Sequence, residues 1–171
     1  MKTFLEWLFE SDSEHASALR DTGFWGRAGA GALIVASDTG RILIPHRSAS
    51  VEQPGTWGVW GGAIDAGEDP AAAARREVEE EAGASSVARM VPLYVFRKGD
   101  FRYHNFLAVV PSEFQPRLNW ETQGFRWVEF GDWPAPMHFG LKALLDNDGE
   151  LISRAIDDIR SSSSAPRFRT S

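Results

Sequence analysis

A chain of 171 residues with 43% hydrophobic content is long enough to bury one substantial core and too short for two comfortable ones. Its 18 basic against 24 acidic residues leave a net charge of −6, which disfavours non-specific binding to a polyphosphate backbone or an anionic membrane surface, so an anionic ligand must be met locally. The absence of cysteine excludes disulfides, thiolate zinc sites and cysteine nucleophiles, fits a cytoplasmic protein, and is joined by the absence of any apolar run of membrane length.

In chain order, residues 3–19 carry Phe4, Leu5, Leu8 and Phe9 at turn-like spacing. They are expected to form a helical extension within residues 1–24, either covering the main domain or making a homodimer contact. Gly26-Arg27-Ala28-Gly29-Ala30-Gly31 has the composition of a dinucleotide-binding loop, but it precedes a strand instead of following one, and Ile34 stands where the third glycine belongs. That fingerprint is rejected. Residues 32–36 and 41–44 read as a hairpin about Asp38-Thr39-Gly40. Arg47 follows, either a phosphate contact or a surface arginine at a strand end. Residues 57–60, Trp57-Gly58-Val59-Trp60, are expected to be a short strand.

The next stretch, residues 62–84, contains a helix with both ends marked. Asp69 before Pro70 is a start signature, because the carboxylate accepts bonds from unpaired first-turn N–H groups and proline needs no donor there. Gly83 can supply the left-handed residue that stops it. Ala71, Ala74, Val78 and Ala82 make an apolar stripe, and Glu77, Glu80 and Glu81, at i, i+3 and i+4, converge on a neighbouring face. Three such anions repel unless a cation sits among them; a hard divalent ion, Mg2+ when phosphates are present, removes the conflict. The plain alternative is a solvated acidic face. Arg76 lies one turn from Glu80 and within reach of Glu68, a scaffolding position for the preceding loop.

Residues 88–96 and 101–110 are apolar, strand-rich runs joined across 97–100 and are expected to be a second hairpin. A loop over 111–119 leads through Trp120 and Glu121 into a strand over 125–128. Trp133-Pro134-Ala135-Pro136 then breaks the chain before a helix over 138–145, a second break at 146–149, a final amphipathic helix over 150–160, and a tail, 161–171, expected to be disordered. The main domain is set at residues 25–160. His15, His46, His104 and His138 show no zinc-peptidase spacing, and no serine-nucleophile motif is present.

The spacing of Gly62, Glu68, Arg76-Glu77-Val78, Glu80-Glu81 and Gly83 resembles the Nudix box, G-x5-E-x7-R-E-U-x-E-E-x-G-U, with Ala84 standing where a bulky aliphatic is usual. The resemblance spans roughly residues 31–145. It implies an α/β fold, an α/β/α sandwich around a mixed sheet. It also implies hydrolysis of a pyrophosphate bond in a nucleoside diphosphate derivative with Mg2+, or Mn2+ in its place. By the same resemblance Glu77, Glu80 and Glu81 are metal ligands together with a main-chain carbonyl near Gly62, and Glu68 and Arg76 support them.

Coordinated carboxylates make poor proton acceptors, so a base from outside the helix is expected; Glu121 is the best candidate, with Glu113 and Glu129 behind it and Glu80 as the alternative within the box. Trp57, Trp60, Tyr103 and Trp120 lie near expected sheet ends and are either core residues or platforms for a nucleobase, and Arg47, Trp60 and Tyr103 are taken as substrate-binding candidates. Nucleotides, nucleotide sugars, dinucleotides and capped RNA ends all stay open as substrates. A catalytically silent nucleotide-binding or regulatory module is the competing reading, although such a module is expected to lose ligand carboxylates and none is missing. The related isopentenyl diphosphate isomerases use a catalytic cysteine, which this chain lacks.

Overall fold

A computed structural model describes residues 28–98 and 100–164. The expected N-terminal helix, the start of the glycine run and residues 165–171 of the tail lie outside them.

Six strands, β1 (Ala28–Ala36), β2 (Ile42–Arg47), β3 (Trp60–Ala63), β4 (Arg89–Lys98), β5 (Phe101–Val110) and β6 (Thr122–Val128), and two helices, α1 (Pro70–Ala82) and α2 (Phe139–Ser164), make up the described chain. The strands form one mixed sheet in the order β4-β5-β1-β2-β6, with β3 pairing β1 off that path. β1 and β5 run parallel, in register from Ala28 opposite Arg102 to Ala36 opposite Val110, and every other pair is antiparallel. Being central, β1 is buried on both faces, which its small and β-branched sequence AGAGALIVA allows.

The helices cover opposite faces. On one side Ala73, Ala74, Val78 and Ala82 of α1 pack against Ala30, Ala32, Ile34, Leu43 and Phe106. On the other, Leu141, Leu144, Ile152, Ile156 and Ile159 of α2 pack against Leu33, Val35, Ile42, Ile44 and Leu107. The result is the α/β/α sandwich expected.

Both ends of α1 are as the sequence marks them: the Asp69 carboxylate accepts the N–H groups of Ala71 and Ala72 at 2.9 and 3.2 Å, and Gly83 closes the helix at φ 72°. Other boundaries differ. β1 starts at Ala28 instead of residue 32, taking Gly29 and Gly31 into the strand. The short strand expected at 57–60 lies at Trp60–Ala63, and Trp57 makes only isolated bridges to His46 and Met137.

The two terminal helices are one, continuous through residues 146–149 and on to Ser164. Gly149 costs a helix about 1 kcal/mol relative to alanine, less than the burial of the stripe that runs across it returns. Asn147 spends its amide on the Ala143 carbonyl one turn back, 2.7 Å. Asp148 accepts the Tyr94 N–H, which the bulge between Pro92 and Val95 takes out of the ladder with β5. The residues that read as a break therefore join α2 to β4.

Candidate active site

Strand alternation assigns the glycines around β3 to different jobs. Gly62 faces α1, and a Cβ there would lie 2.8 Å from the Glu77 carboxylate. Gly61 faces the opposite side of the sheet, where a Cβ would lie 2.5 Å from the Tyr103 hydroxyl oxygen. Gly31 and Gly29 of β1 repeat that relation, with a Cβ falling 2.4 Å from the Tyr103 hydroxyl oxygen and 2.7 Å from its Cδ2. The run that resembled a dinucleotide loop in composition is thus a bare patch of sheet on which the Tyr103 ring lies flat.

The loop before α1 is clamped by Arg76. Its guanidinium donates to both Glu68 oxygens at 3.0 Å, to the Ala63 carbonyl at 3.1 Å, to Glu77 at 2.8 Å and to Glu80 at 3.5 Å. The hydrogen bonds to Glu68 raise the Arg76 pKa and in return hold the Glu68 carboxyl below its usual range.

Glu81 is the buried member of the acidic face, 7% exposed, and accepts the Gly61 N–H at 2.9 Å. Burial, followed by the charges of Glu121 and Glu77, pushes its pKa up to about 8. Burial also raises Glu77, against the stabilising Arg76. Glu80 is 60% exposed at its side chain. Among the described residues no three carboxylates or imidazoles stand ready spaced around an ion. The donor set nevertheless fits a hard divalent cation: oxygen ligands only, mutual repulsion that a cation removes, and a gap at Gly62 that leaves the Glu77 carboxylate beside the main chain.

Glu121 comes from the loop before β6, held there by its backbone. Its N–H donates to Asn119 Oδ1 at 3.0 Å, and its carbonyl accepts the Ser48 N–H at 2.8 Å. The other two candidate bases stand elsewhere: Glu113 and Glu129 pair with Arg41, at 3.2 and 4.0 Å. Arg47 reaches the same cavity as Glu121, its Nε donating to the Glu52 carbonyl at 2.8 Å, and burial lowers its pKa.

That cavity, about 790 Å3, is lined by Glu77, Glu80 and Glu81, by Tyr103, and by the aromatic residues Phe96, Phe101 and Trp120. Trp120 is 69% exposed and flanks the opening. Trp60 is not there. It is fully buried beneath α1, its indole N–H donating to the Leu43 carbonyl at 2.9 Å, so it is a core residue and not a substrate platform. Two wall residues were not among the site residues expected from the sequence. His138 accepts the Gly140 N–H through Nδ1 at 3.0 Å, and burial with nearby Arg47 lowers its pKa to about 3. Asn105, 5% exposed, donates to the Tyr94 carbonyl at 2.9 Å. No spacing motif marks a lone histidine or asparagine, so only the fold places them.

The NUDIX domain family model matches residues 26–147. The chain belongs to the Nudix family. Among curated relatives, a protein from Mycobacterium tuberculosis provisionally named 8-oxo-dGTP diphosphatase 3 is 43% identical over 134 residues, a match covering 70% of this chain and 61% of that protein. The chain thus spans about three fifths of that relative's length. Among solved Nudix structures, the MutT Nudix hydrolase of Burkholderia pseudomallei is 29% identical with a TM-score of 0.57, covering 71% of this chain and 96% of that one. The M. smegmatis Nudix hydrolase RenU is 25% identical with a TM-score of 0.61, covering 85% and 92%. The matched region contains the whole box, β1 to β6 and the start of α2. No described helix is long and apolar enough to cross a membrane.

Proposed function

We infer that the chain is a divalent-metal-dependent pyrophosphohydrolase of nucleoside triphosphates, with an oxidised purine nucleotide such as 8-oxo-dGTP as the preferred substrate. The observation that carries the chemistry is that Glu77, Glu81 and Glu121 line one cavity, where the charges of Glu121 and Glu77 add to burial in raising the Glu81 pKa. The M. tuberculosis relative's name supports the substrate class, and the aromatic residues that line the cavity suit a base.

In this reading Glu77, Glu80 and Glu81, with the Gly62 carbonyl, would hold Mg2+ or Mn2+, which when bound would supply charge neutralisation at the phosphoryl oxygens and lower the pKa of a nearby water. Glu121 accepts the proton of the attacking water, since it approaches from a separate loop and is not among the ligands. Arg47 meets a phosphate oxygen from the far wall. Arg76 and Glu68 hold the box loop in place around Gly62. Water attack at phosphorus breaks one P–O–P bond and gives a nucleoside monophosphate and pyrophosphate.

A panel of 8-oxo-dGTP, the four ordinary deoxynucleoside triphosphates, a nucleotide sugar, a dinucleoside polyphosphate and a capped RNA, assayed with Mg2+, tests the reading. The expected result is the highest kcat/KM on 8-oxo-dGTP, with pyrophosphate as product. A nucleotide sugar or dinucleotide turned over 10-fold better would move the substrate class, and no turnover of any member would leave the silent binding module standing.

A further inference from the structure

The structure assigns to Asn119 the positioning of Glu121: its side-chain oxygen closes the turn that brings this carboxylate from the start of β6 into the cavity. The assignment rests on the reading of Glu121 as the base and adds the residue that holds it there.

Glu121 lines the cavity with Glu77 and Glu81, and its charge acts on both of them and on Arg47. Two like-charged neighbours push it away, so its place depends on its backbone. The strand ladder supplies only half of the support. β2 and β6 pair from Ile42 opposite Val128 to Arg47 opposite Thr122, with a register shift between His46 and Arg47. Gln123 is the extra residue of that bulge, and its amide lies 3.4 Å from both ring nitrogens of His46. The shift sets Thr122 opposite Arg47, and so Glu121 opposite Ser48. The Ser48 N–H donates to the Glu121 carbonyl at 2.8 Å, one of the two bonds that a continuing antiparallel pair would exchange. The other, from the Glu121 N–H, goes to Asn119 Oδ1 at 3.0 Å.

Asn119 stands two residues before Glu121, the spacing at which an asparagine side chain bonds the backbone ahead of it and takes the place of one turn residue. An N–H can be met only by an acceptor, so the facing atom is the amide oxygen and not the nitrogen. The Asn119 carbonyl accepts the Thr122 N–H at 3.3 Å, and the two oxygens of this one residue thus close the turn over Trp120 and Glu121. Packing adds little, since Leu118 is 36% exposed and Trp120 69%. Without Oδ1 the Glu121 N–H turns to solvent, and the turn loses the bond that fixes its shape.

The same ladder end relates Glu121 to Arg47. Ser48, which holds the Glu121 carbonyl, follows Arg47 directly, and Arg47 has its own backbone bonds to Gly55 and Thr56. A loosened turn therefore displaces the base and leaves the proposed phosphate contact in place, so the loss belongs in kcat and not in KM. A misplacement of about 1 Å costs on the order of 10^2 in rate.

Backbone amide exchange on the full chain, followed by NMR without metal or nucleotide, reads the bond itself. Exchange of the Glu121 N–H is expected to quicken by about 10-fold or more in Asn119→Ala and to stay within about threefold of wild type in Asn119→Asp, which keeps the acceptor. Steady-state kinetics on the best substrate of the panel reads the consequence. Asn119→Ala is expected to lower kcat by about 10- to 100-fold with KM within about threefold. In a Glu121→Gln background it should lower kcat by less than about threefold further, because a residue that acts through Glu121 has no base left to position. Thermal unfolding checks that each variant is folded. Unchanged Glu121 exchange in Asn119→Ala, or the same loss of kcat in both backgrounds, would overturn the assignment while the base reading stands. Turnover of Glu121→Gln at the wild-type rate would overturn the base reading, and the positioning role would fall with it.

Discussion

The carboxylate of Glu77 occupies the space that a side chain on Gly62 would need, with a Cβ at that glycine falling 2.8 Å from both Glu77 Oε1 and Cδ. The first glycine of the box is thus a matter of room, since its φ is not among the positive ones. Gly62→Ala can keep the backbone and must displace Glu77. If Glu77 holds the ion as proposed, a shift of about 1 Å costs on the order of 10^2 in rate, so kcat is expected to fall by about 10^2 while the thermal midpoint moves little. Steady-state kinetics beside a melting curve separates the two. A large loss of stability with normal kcat per folded molecule would show that the glycine serves the fold instead.

Trp60 and Trp120 should part company under mutation. Trp60→Ala empties a fully buried site and removes the bond to Leu43, so it is expected to destabilise by about 3–5 kcal/mol in urea denaturation. Trp120→Ala removes a largely exposed ring at the cavity mouth and is expected to leave stability within about 0.5 kcal/mol. Its effect belongs in KM for nucleotide. If Trp60→Ala raises KM without unfolding the chain, the core assignment is wrong.

Local chemistry explains which parts of this arrangement could be read in advance. The box helix was legible at both ends because Asp69 and Gly83 act on their immediate neighbours, and the face shared by Glu77, Glu80 and Glu81 follows from helical period alone. Gly29 and Gly31 were not legible as strand, because their reason is Tyr103, a residue distant in sequence whose ring needs the space. The break expected at residues 146–149 failed for the same cause, since packing of Ile152, Ile156 and Leu144 in one stripe outweighs the local cost of Gly149 and Asn147. Trp60 sits two residues from a box glycine, and nothing local distinguishes a tryptophan facing α1 from one facing the cavity. A one-residue change of register decides it.

His138 gives the fold a dependence on pH. Its folded pKa, about 3, lies below the ordinary value near 6.5, so the unfolded chain takes up a proton first and stability falls as pH drops below about 6.5. Protonation would also remove the Nδ1 lone pair that accepts the Gly140 N–H. Between pH 7.5 and 5 this group contributes a loss of up to about 2 kcal/mol. Urea midpoints of wild type and His138→Asn at the two pH values isolate it, because every other titrating group is shared. The variant should lose less on acidification than wild type; equal losses would refute the assignment.

Glu121→Gln removes the proposed proton acceptor while keeping the side chain's size. With the backbone anchors to Asn119 and Ser48 intact, kcat is expected to fall by about 10^2 or more at little change in KM. Wild-type turnover from pH 6 to 9 would pass the role of base to Glu80.

The buried carboxylate Glu81 is proposed to work through a divalent ion at a phosphoryl group. Pyrophosphate release from 8-oxo-dGTP, followed for wild type and Glu81→Gln with Mg2+ and then with excess chelator, tests it most directly. Wild type should turn over with Mg2+ and stop with chelator, and Glu81→Gln should be slower by about 10^3 or more with Mg2+ while remaining folded. Hydrolysis undiminished by chelator, or full activity in Glu81→Gln, would contradict the account.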